Sequence, residues 1–293
     1  MPHITLVHYQ NGGQKSPNPD VRELFAQARR HFGEGRIPSA IETYRRCLEL
    51  ETDHERLGAL NIQIGNCHHE LREYVRAAEF YEAAAREAQR AGDEEGKASA
   101  IASVANTLML RPASSARRSR NLREAVEGYE RALTVFRRGE YPIQHAMTQN
   151  NLGAAYADLP AATPEEQAEN VRKAIECYNA ALKIYKKDQY PIQHAGTQNN
   201  LGGAYAALPA ATPEERAENV RKAIECYSAA LKIYKKDQYP HQFCKTAANL
   251  GMQLASIDHA DACHWLKEAY SLREYLPDQG KRLEKLIREV CKD

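Results

Sequence analysis

The sequence predicts an all-α fold built of stacked antiparallel helix pairs, and three observations predict it. Residues 141–189 and 190–238 are one 49-residue stretch written twice, with differences at five positions. Such self-similarity, at a period of about 20–50 residues, marks supersecondary units that cannot bury an apolar face alone and must stack on neighbours. Within a copy the apolar residues recur at helical spacing. Leu152, Ala155, Tyr156 and Leu159 form one stripe, and Val171, Ala174, Ile175, Tyr178, Ala181, Leu182 and Tyr185 form a second. The segment between them, LPAATPEE, carries stop and start signals. Pro160 ends the first helix. Thr163 offers an N-cap hydroxyl, Pro164 suits the first helical position, and Glu165 and Glu166 sit at the positive end of the macrodipole. The second helix is expected to run to about Lys187, a length of roughly 36 Å.

The elements follow in order. Residues 1–20, from the β-prone HITLVHY through NGGQKSPNP, have linker composition and are expected to form an extended or mobile arm. A solenoid of five to six units is expected over 21–278. Its first pair carries Ala28, Ala40 and Tyr44 around a short FGEGR turn, and its second carries Ile64, Gly65, Ala77, Tyr81 and Ala84. The third carries Ala105, Ala125, Tyr129 and Ala132, with RPASSARRSRNL in its loop. The fourth and fifth are the duplicated copies, opened like the sixth by Tyr-Pro pairs at Tyr141-Pro142, Tyr190-Pro191 and Tyr239-Pro240. The sixth is incomplete, with Leu250, Gly251 and Ala269. Residues 279–293 read as the polar capping helix that a solenoid end requires.

The residues Leu152, Gly153, Tyr156, Ala174, Tyr178 and Ala181, with Leu201, Gly202, Tyr205, Ala223, Tyr227 and Ala230 in the next copy, resemble the tetratricopeptide repeat signature. Gly153 and Ala174 would let two helices approach closely while the tyrosines fill the space beside them. The TQNNLG stretch is similar to kinesin light chain repeats, and the long unit resembles bacterial arrays found beside caspase-like (CHAT) domains. The resemblance implies a right-handed superhelix, a protein-interaction role without catalysis, and an extended peptide or partner domain held in a concave groove. The partner would be a protein or peptide, such as a separately encoded effector or sensor.

Composition narrows the function classes. The chain has 40 basic and 39 acidic residues, so general attraction to nucleic acid or anionic lipid is not expected. The start MPHITLVHYQ lacks a basic segment followed by a long apolar one, and no apolar run approaches a membrane span of about 18 residues, so a cytoplasmic protein is expected. Seven scattered cysteines without CxxC spacing are expected to be free thiols. There is no phosphate-cradling glycine loop, no nucleophile elbow and no dinucleotide fingerprint, and no cofactor is expected. His241, Cys244, His259, Cys263 and His264 have a spacing that four zinc ligands could use, yet scattered thiols and imidazoles in helical arrays rarely assemble a site, so no metal is expected.

Two sets of residues carry binding chemistry. Asn151, Asn200 and Asn249 recur at intervals of 49 residues, with Asn150 and Asn199 beside the first two. On a wheel of the fourth first helix, Met147, Asn150, Ala154, Ala157 and Asp158 lie opposite the apolar stripe and Asn151 flanks them. A carboxamide has one acceptor and two donors and can hold the backbone of an extended peptide whatever its side chains. The kinesin light chain likeness implies this clamp for Asn151, Asn200 and Asn249. Asn66 and Asn106, a turn further along earlier first helices, extend the row, and Lys245 adds a cation for a carboxylate. The competing reading is that each asparagine bonds within the array. The second set is Arg111, Arg117, Arg118, Arg120 and Arg123, which replace the acidic loop of later units. They would take RNA, a phosphate-bearing ligand or an acidic partner, or else form a solvated edge pairing with the acidic edge of the next unit. A third alternative is a structural module that self-associates through its near-identical units.

Overall fold

The computed structural model describes residues 16–276 and 280–291. Every regular element among them is helical. In order they are α1 Pro19–Gly33, α2 Ile37–Leu50, α3 His54–Glu70, α4 Tyr74–Ala91, α5 Glu94–Leu110, α6 Ser115–Val135, α7 Pro142–Asp158, α8 Pro164–Leu182, α9 Pro191–Ala207, α10 Pro213–Leu231, α11 Pro240–Leu254, α12 His259–Tyr270 and α13 Gly280–Val290. The chain divides into two compact units, one ending at Leu159 and the other beginning at Pro160, so the division falls in the LPAATPEE loop of the fourth repeat.

In the first unit, α1 pairs with α2, α3 with α4 and α5 with α6, and α7 packs on α6. The first helices also meet across repeats, α3 against α5 and α5 against α7. In the second unit α8, α9, α10, α11 and α12 pack consecutively, α9 also meets α11, and α13 lies on α12. The buried residues follow the apolar stripes: Val21, Phe25, Ala28, Tyr44, Leu60 and Ile64 in one cluster, and Phe243, Leu250, Leu254, Leu266 and Leu283 in another.

Local signals in the sequence account for the element ends. Thr163 Oγ1 accepts from Glu166 N at 3.2 Å while Glu166 Oε2 accepts from Ala162 N at 2.7 Å, and Thr212 and Glu215 repeat the arrangement at 3.2 and 2.8 Å. Each threonine–glutamate pair thereby satisfies two backbone donors at a helix start. The expected run to Lys187 stops short, because α8 ends at Leu182. There the ladder tightens, with Lys183 N on Ala180 O and Ile184 N on Ala181 O, and the chain turns. The turn brings Tyr185 to Tyr190 with ring centroids 5.8 Å apart; Phe136 and Tyr141 stand at 5.8 Å, and Tyr234 and Tyr239 at 5.7 Å. One aromatic pair thus rivets each Tyr-Pro corner.

At the N-terminal end, α1 begins at Pro19, capped by Asn18, whose Oδ1 accepts from Asp20 N at 2.9 Å. Pro19 and Asp20 therefore belong to a helix rather than to the arm; of the rest, Ser16 is buried and residues 1–15 lie outside the described residues. The expectation of free thiols needs correction at two positions. Cys263 on α12 and Cys291, just beyond α13, form a disulfide with Cα atoms 5.3 Å apart, while Cys47, Cys67, Cys177, Cys226 and Cys244 are free and buried. The antiparallel return of α13 brings together thiols that no short spacing pairs.

The glycine–tyrosine reading of the repeat holds in both units. A Cβ on Gly65 would lie 2.5 Å from Cε1 of Tyr81, and one on Gly202 would lie 2.9 Å from Cε1 of Tyr227. Gly203, one residue on, would meet only Tyr227 OH, at 3.7 Å. Gly65→Ala is therefore expected to cost about 1–3 kcal/mol by overpacking. Gly203→Ala should instead stabilise the second unit by up to about 1 kcal/mol, because alanine is the better helix former. Thermal unfolding of the two variants checks the contrast; equal midpoints would contradict it.

Candidate functional site

The structure divides the asparagine row into two environments. In the first unit the carboxamides are sealed. Asn66 Oδ1 accepts from Tyr81 OH at 2.8 Å, and Asn106 Oδ1 accepts both from Tyr129 OH at 2.6 Å and from Asn151 Nδ2 at 3.0 Å. Asn150 Nδ2 in turn donates to Asn151 Oδ1 at 3.2 Å. All four asparagines are buried, and Asn106 is 0 % exposed. Asn66, Asn106, Asn150 and Asn151 thus do not line an open groove as expected. The wheel treated a first helix as having one apolar face, whereas α5 is flanked by α3, α4, α6 and α7. Met147 and Ala154, placed on the open side by the wheel, are buried as well.

In the second unit the row is more open. Asn200 and Asn249 are half-buried, as is Lys245, while Asn199 is buried and its Oδ1 accepts from Thr246 Oγ1 at 3.1 Å. Asn199, Asn200 and Lys245 come together with His241, Gln242 and Gly196 along a shallow cleft of about 20 Å³ between α9 and α11. One of the five differences between the copies lies here. Gly196 stands where the preceding copy has Met147, so position 196 contributes no side chain to the cleft, where Tyr234 OH lies 3.2 Å from the place a Cβ would occupy.

The arginines also separate. Arg118 binds Met109 O and makes an ion pair with Asp158 at 3.1 Å, so one arginine does meet the acidic residue of the following helix. Arg120 and Arg123 are exposed. Arg111 and Arg117 instead line a concavity in the first unit that sequence reasoning missed, together with Arg72 from the α3–α4 turn and Arg76 from the first turn of α4. Equivalent corners of consecutive repeats lie side by side in a stack, and that was the available signal.

The histidine–cysteine set at 241, 244, 259, 263 and 264 does not assemble a metal site: Cys263 is bonded to Cys291. Among the described residues no group of three or more His, Cys, Asp or Glu side chains could hold a metal ion. Burial pushes the Cys67 and Cys226 thiols up to about 12, and those of Cys47 and Cys244 to about 11, so all four are protonated at neutral pH. His68 Nδ1 pairs with Glu73 at 2.6 Å and the ring stacks on Phe80. Among the described residues no helix is long and apolar enough to cross a membrane.

Paired helices, glycine–tyrosine contacts and repeated corners define an all-α helical-repeat fold like that of tetratricopeptide repeats. Comparison with solved structures places it among such folds. It is similar to RapI in its apo form (TM-score 0.61, 15 % identity, covering 92 % of this chain and 96 % of that one). It is also similar to a Rap protein complexed with competence and sporulation factor (TM-score 0.58, 13 % identity, 96 % and 77 % covered). A third likeness is to the nearly identical TPR-like repeats of a kinesin light chain from Podosopora anserina (TM-score 0.51, 19 % identity, 76 % and 99 % covered). No protein-family model matches the chain, and no curated protein matches it in sequence.

Proposed function

We propose that the chain is a non-catalytic interaction scaffold that holds an extended peptide segment of a partner protein across the α9–α11 cleft. One observation carries this reading. Where the fourth copy has Met147, the fifth has Gly196, and the cleft there gathers Asn199, Asn200 and Lys245. The Asn200 carboxamide can exchange hydrogen bonds with a peptide N–H and C=O, and the Lys245 ammonium attracts a carboxylate on the same segment. Asn249, one turn beyond Lys245 on α11, continues the surface. Asn199 is held by Thr246 and supports its neighbour from below. The neighbour solved with competence and sporulation factor supports the reading insofar as this type of fold presents a binding surface. A cytoplasmic, bacterial setting and an effector or sensor as partner belong to this proposal.

Peptides selected from a random displayed library on the intact protein supply the probe. Lys245→Ala and Gly196→Met, the second restoring the residue of the fourth copy, are each expected to weaken a selected peptide about tenfold or more, since a hydrogen bond to a charged group contributes about 1.5–3 kcal/mol. Unfolding midpoints are measured alongside. Selected peptides that bind both folded variants as tightly as the parent would refute the assignment.

A further inference from the structure

We propose that the cavity between the α3–α4 turn and the start of α6 is a binding site for a phosphomonoester. It lies wholly in the first unit, apart from the α9–α11 cleft, as an open concavity of about 470 Å³. That size falls in the range of small-ligand pockets, about 300–1,000 Å³. Its wall carries Arg72, Arg76, Arg111 and Arg117, with Glu73 as the acidic member. Glu73 is already engaged, by His68 at 2.6 Å and Arg76 at 3.4 Å. Arg72, Arg111 and Arg117 have no ion-pair partner among the described residues. Three guanidinium groups from two separate corners therefore share one concavity whose single carboxylate, Glu73, is paired elsewhere.

Like charges repel, and the ordinary device for relieving such a cluster is an acidic neighbour. The later repeats use that device: α8 opens with Glu165 and Glu166 and α10 with Glu214 and Glu215, whereas α6 has no acidic residue in its first turn and carries Arg117 there. The positive end of the α6 dipole adds to the field of the arginines. Arg72 supplies a second sign of selection for a guanidinium. Its φ is +58°, in the left-handed region, and the corresponding turn of the preceding repeat places Gly35 at φ +74°. Glycine suits that backbone without strain and arginine does not.

The ligand class follows from charge and shape. A phosphomonoester carries about −1.5 to −2 charges at neutral pH and three acceptor oxygens, enough to engage several guanidinium forks at once. A lone carboxylate satisfies one fork. Val75 and Pro112 give the cavity an apolar flank for whatever bears the phosphate. RNA suits it less, because Tyr74 is the single aromatic lining residue and its ring packs edge-on against His69 at 5.6 Å.

The test uses the full chain and fluorescence anisotropy of a labelled peptide bearing one phosphoserine, its unphosphorylated twin, and AMP and inorganic phosphate as competitors. The phosphopeptide should bind and the twin should not. Competition by AMP as strong as by unlabelled phosphopeptide would indicate a small-molecule phosphate as the natural source; much weaker competition would indicate a modified protein segment. Arg111→Ala, Arg117→Ala and Arg72→Gly should each weaken binding about tenfold or more. Arg72→Gly should do so without lowering the unfolding midpoint, since glycine fits the turn, and Arg120→Ala, outside the cavity, should leave binding intact. Equal binding of both peptides, failure of every phosphate-bearing probe to bind, or equal losses from Arg120→Ala and Arg117→Ala would overturn the proposal.

Discussion

Replacing Asn106 by alanine is expected to be among the most damaging single changes in the first unit, costing about 2–5 kcal/mol. Its Oδ1 is the acceptor for two buried donors, Tyr129 OH at 2.6 Å and Asn151 Nδ2 at 3.0 Å. Alanine leaves both without that acceptor in a buried place, and each stranded group costs about 1–3 kcal/mol. Tyr129→Phe removes one donor while keeping the ring. The double variant should therefore be less destabilised than the sum of the two single changes. Asn66→Ala, which strands Tyr81 OH, should cost less. Denaturant unfolding of the four variants provides the measurement. An Asn106→Ala cost below about 0.5 kcal/mol, the range typical of surface changes, would show that the carboxamide chain contributes little.

The second large effect is a pH dependence centred on Glu51. Its side chain, 4 % exposed, sits at the α2–α3 junction and accepts from Arg56 Nε at 2.9 Å, Arg56 Nη2 at 3.1 Å, Thr52 N at 3.0 Å and Asp53 N at 3.1 Å. Burial by itself would raise the carboxyl, but the hydrogen bonds from Arg56, Ser16 and the two backbone amides outweigh it and hold the group at about 2, against an ordinary value of 4.5. A depressed folded-state value means that the unfolded chain takes up the proton first. The stabilisation is therefore complete above pH 4.5 and lost as the pH falls from there toward 2. Its size is about 3 kcal/mol at most. Glu51→Gln should lower the midpoint at pH 7 and flatten its fall between pH 5 and 2.5 by comparison with the parent. Parallel curves for the two proteins would exclude Glu51 as the source.

Much of this architecture is readable in the chain, and the reasons are local. The duplicated 49 residues fix the helix pair as the unit, Thr163 and Thr212 announce helix starts, and Gly65 and Gly202 foretell the close approach of a tyrosine ring. The environment of the asparagines is not local. A wheel drawn for one helix cannot tell that the opposite side meets the first helix of the neighbouring repeat. Composition does hold a hint: Ala98, Ala100, Ala102 and Ala105 are distributed around α5, and a helix without a polar face is buried on all sides. Arg72 and Arg111 stand far apart in sequence and meet because corners of adjacent repeats align. The pairing of Cys263 with Cys291 likewise depends on the path of the chain between α12 and α13, which no spacing rule supplies.

That covalent link gives the last helix a dependence unlike that of any other element described. Helix α13 has 11 residues, fewer than the roughly 12–15 an isolated helix needs for even marginal persistence in water. It is anchored by Leu283, with Leu286, Ile287 and Val290 half-buried beside the same cluster. Closing a loop over a sequence separation of 28 residues contributes about 3–4 kcal/mol by restricting the unfolded chain. Electron transfer from a reductant would withdraw that contribution from the terminus alone, leaving the hairpins upstream stacked as before. The cohesion of this segment is thus tied to the redox potential of the surroundings.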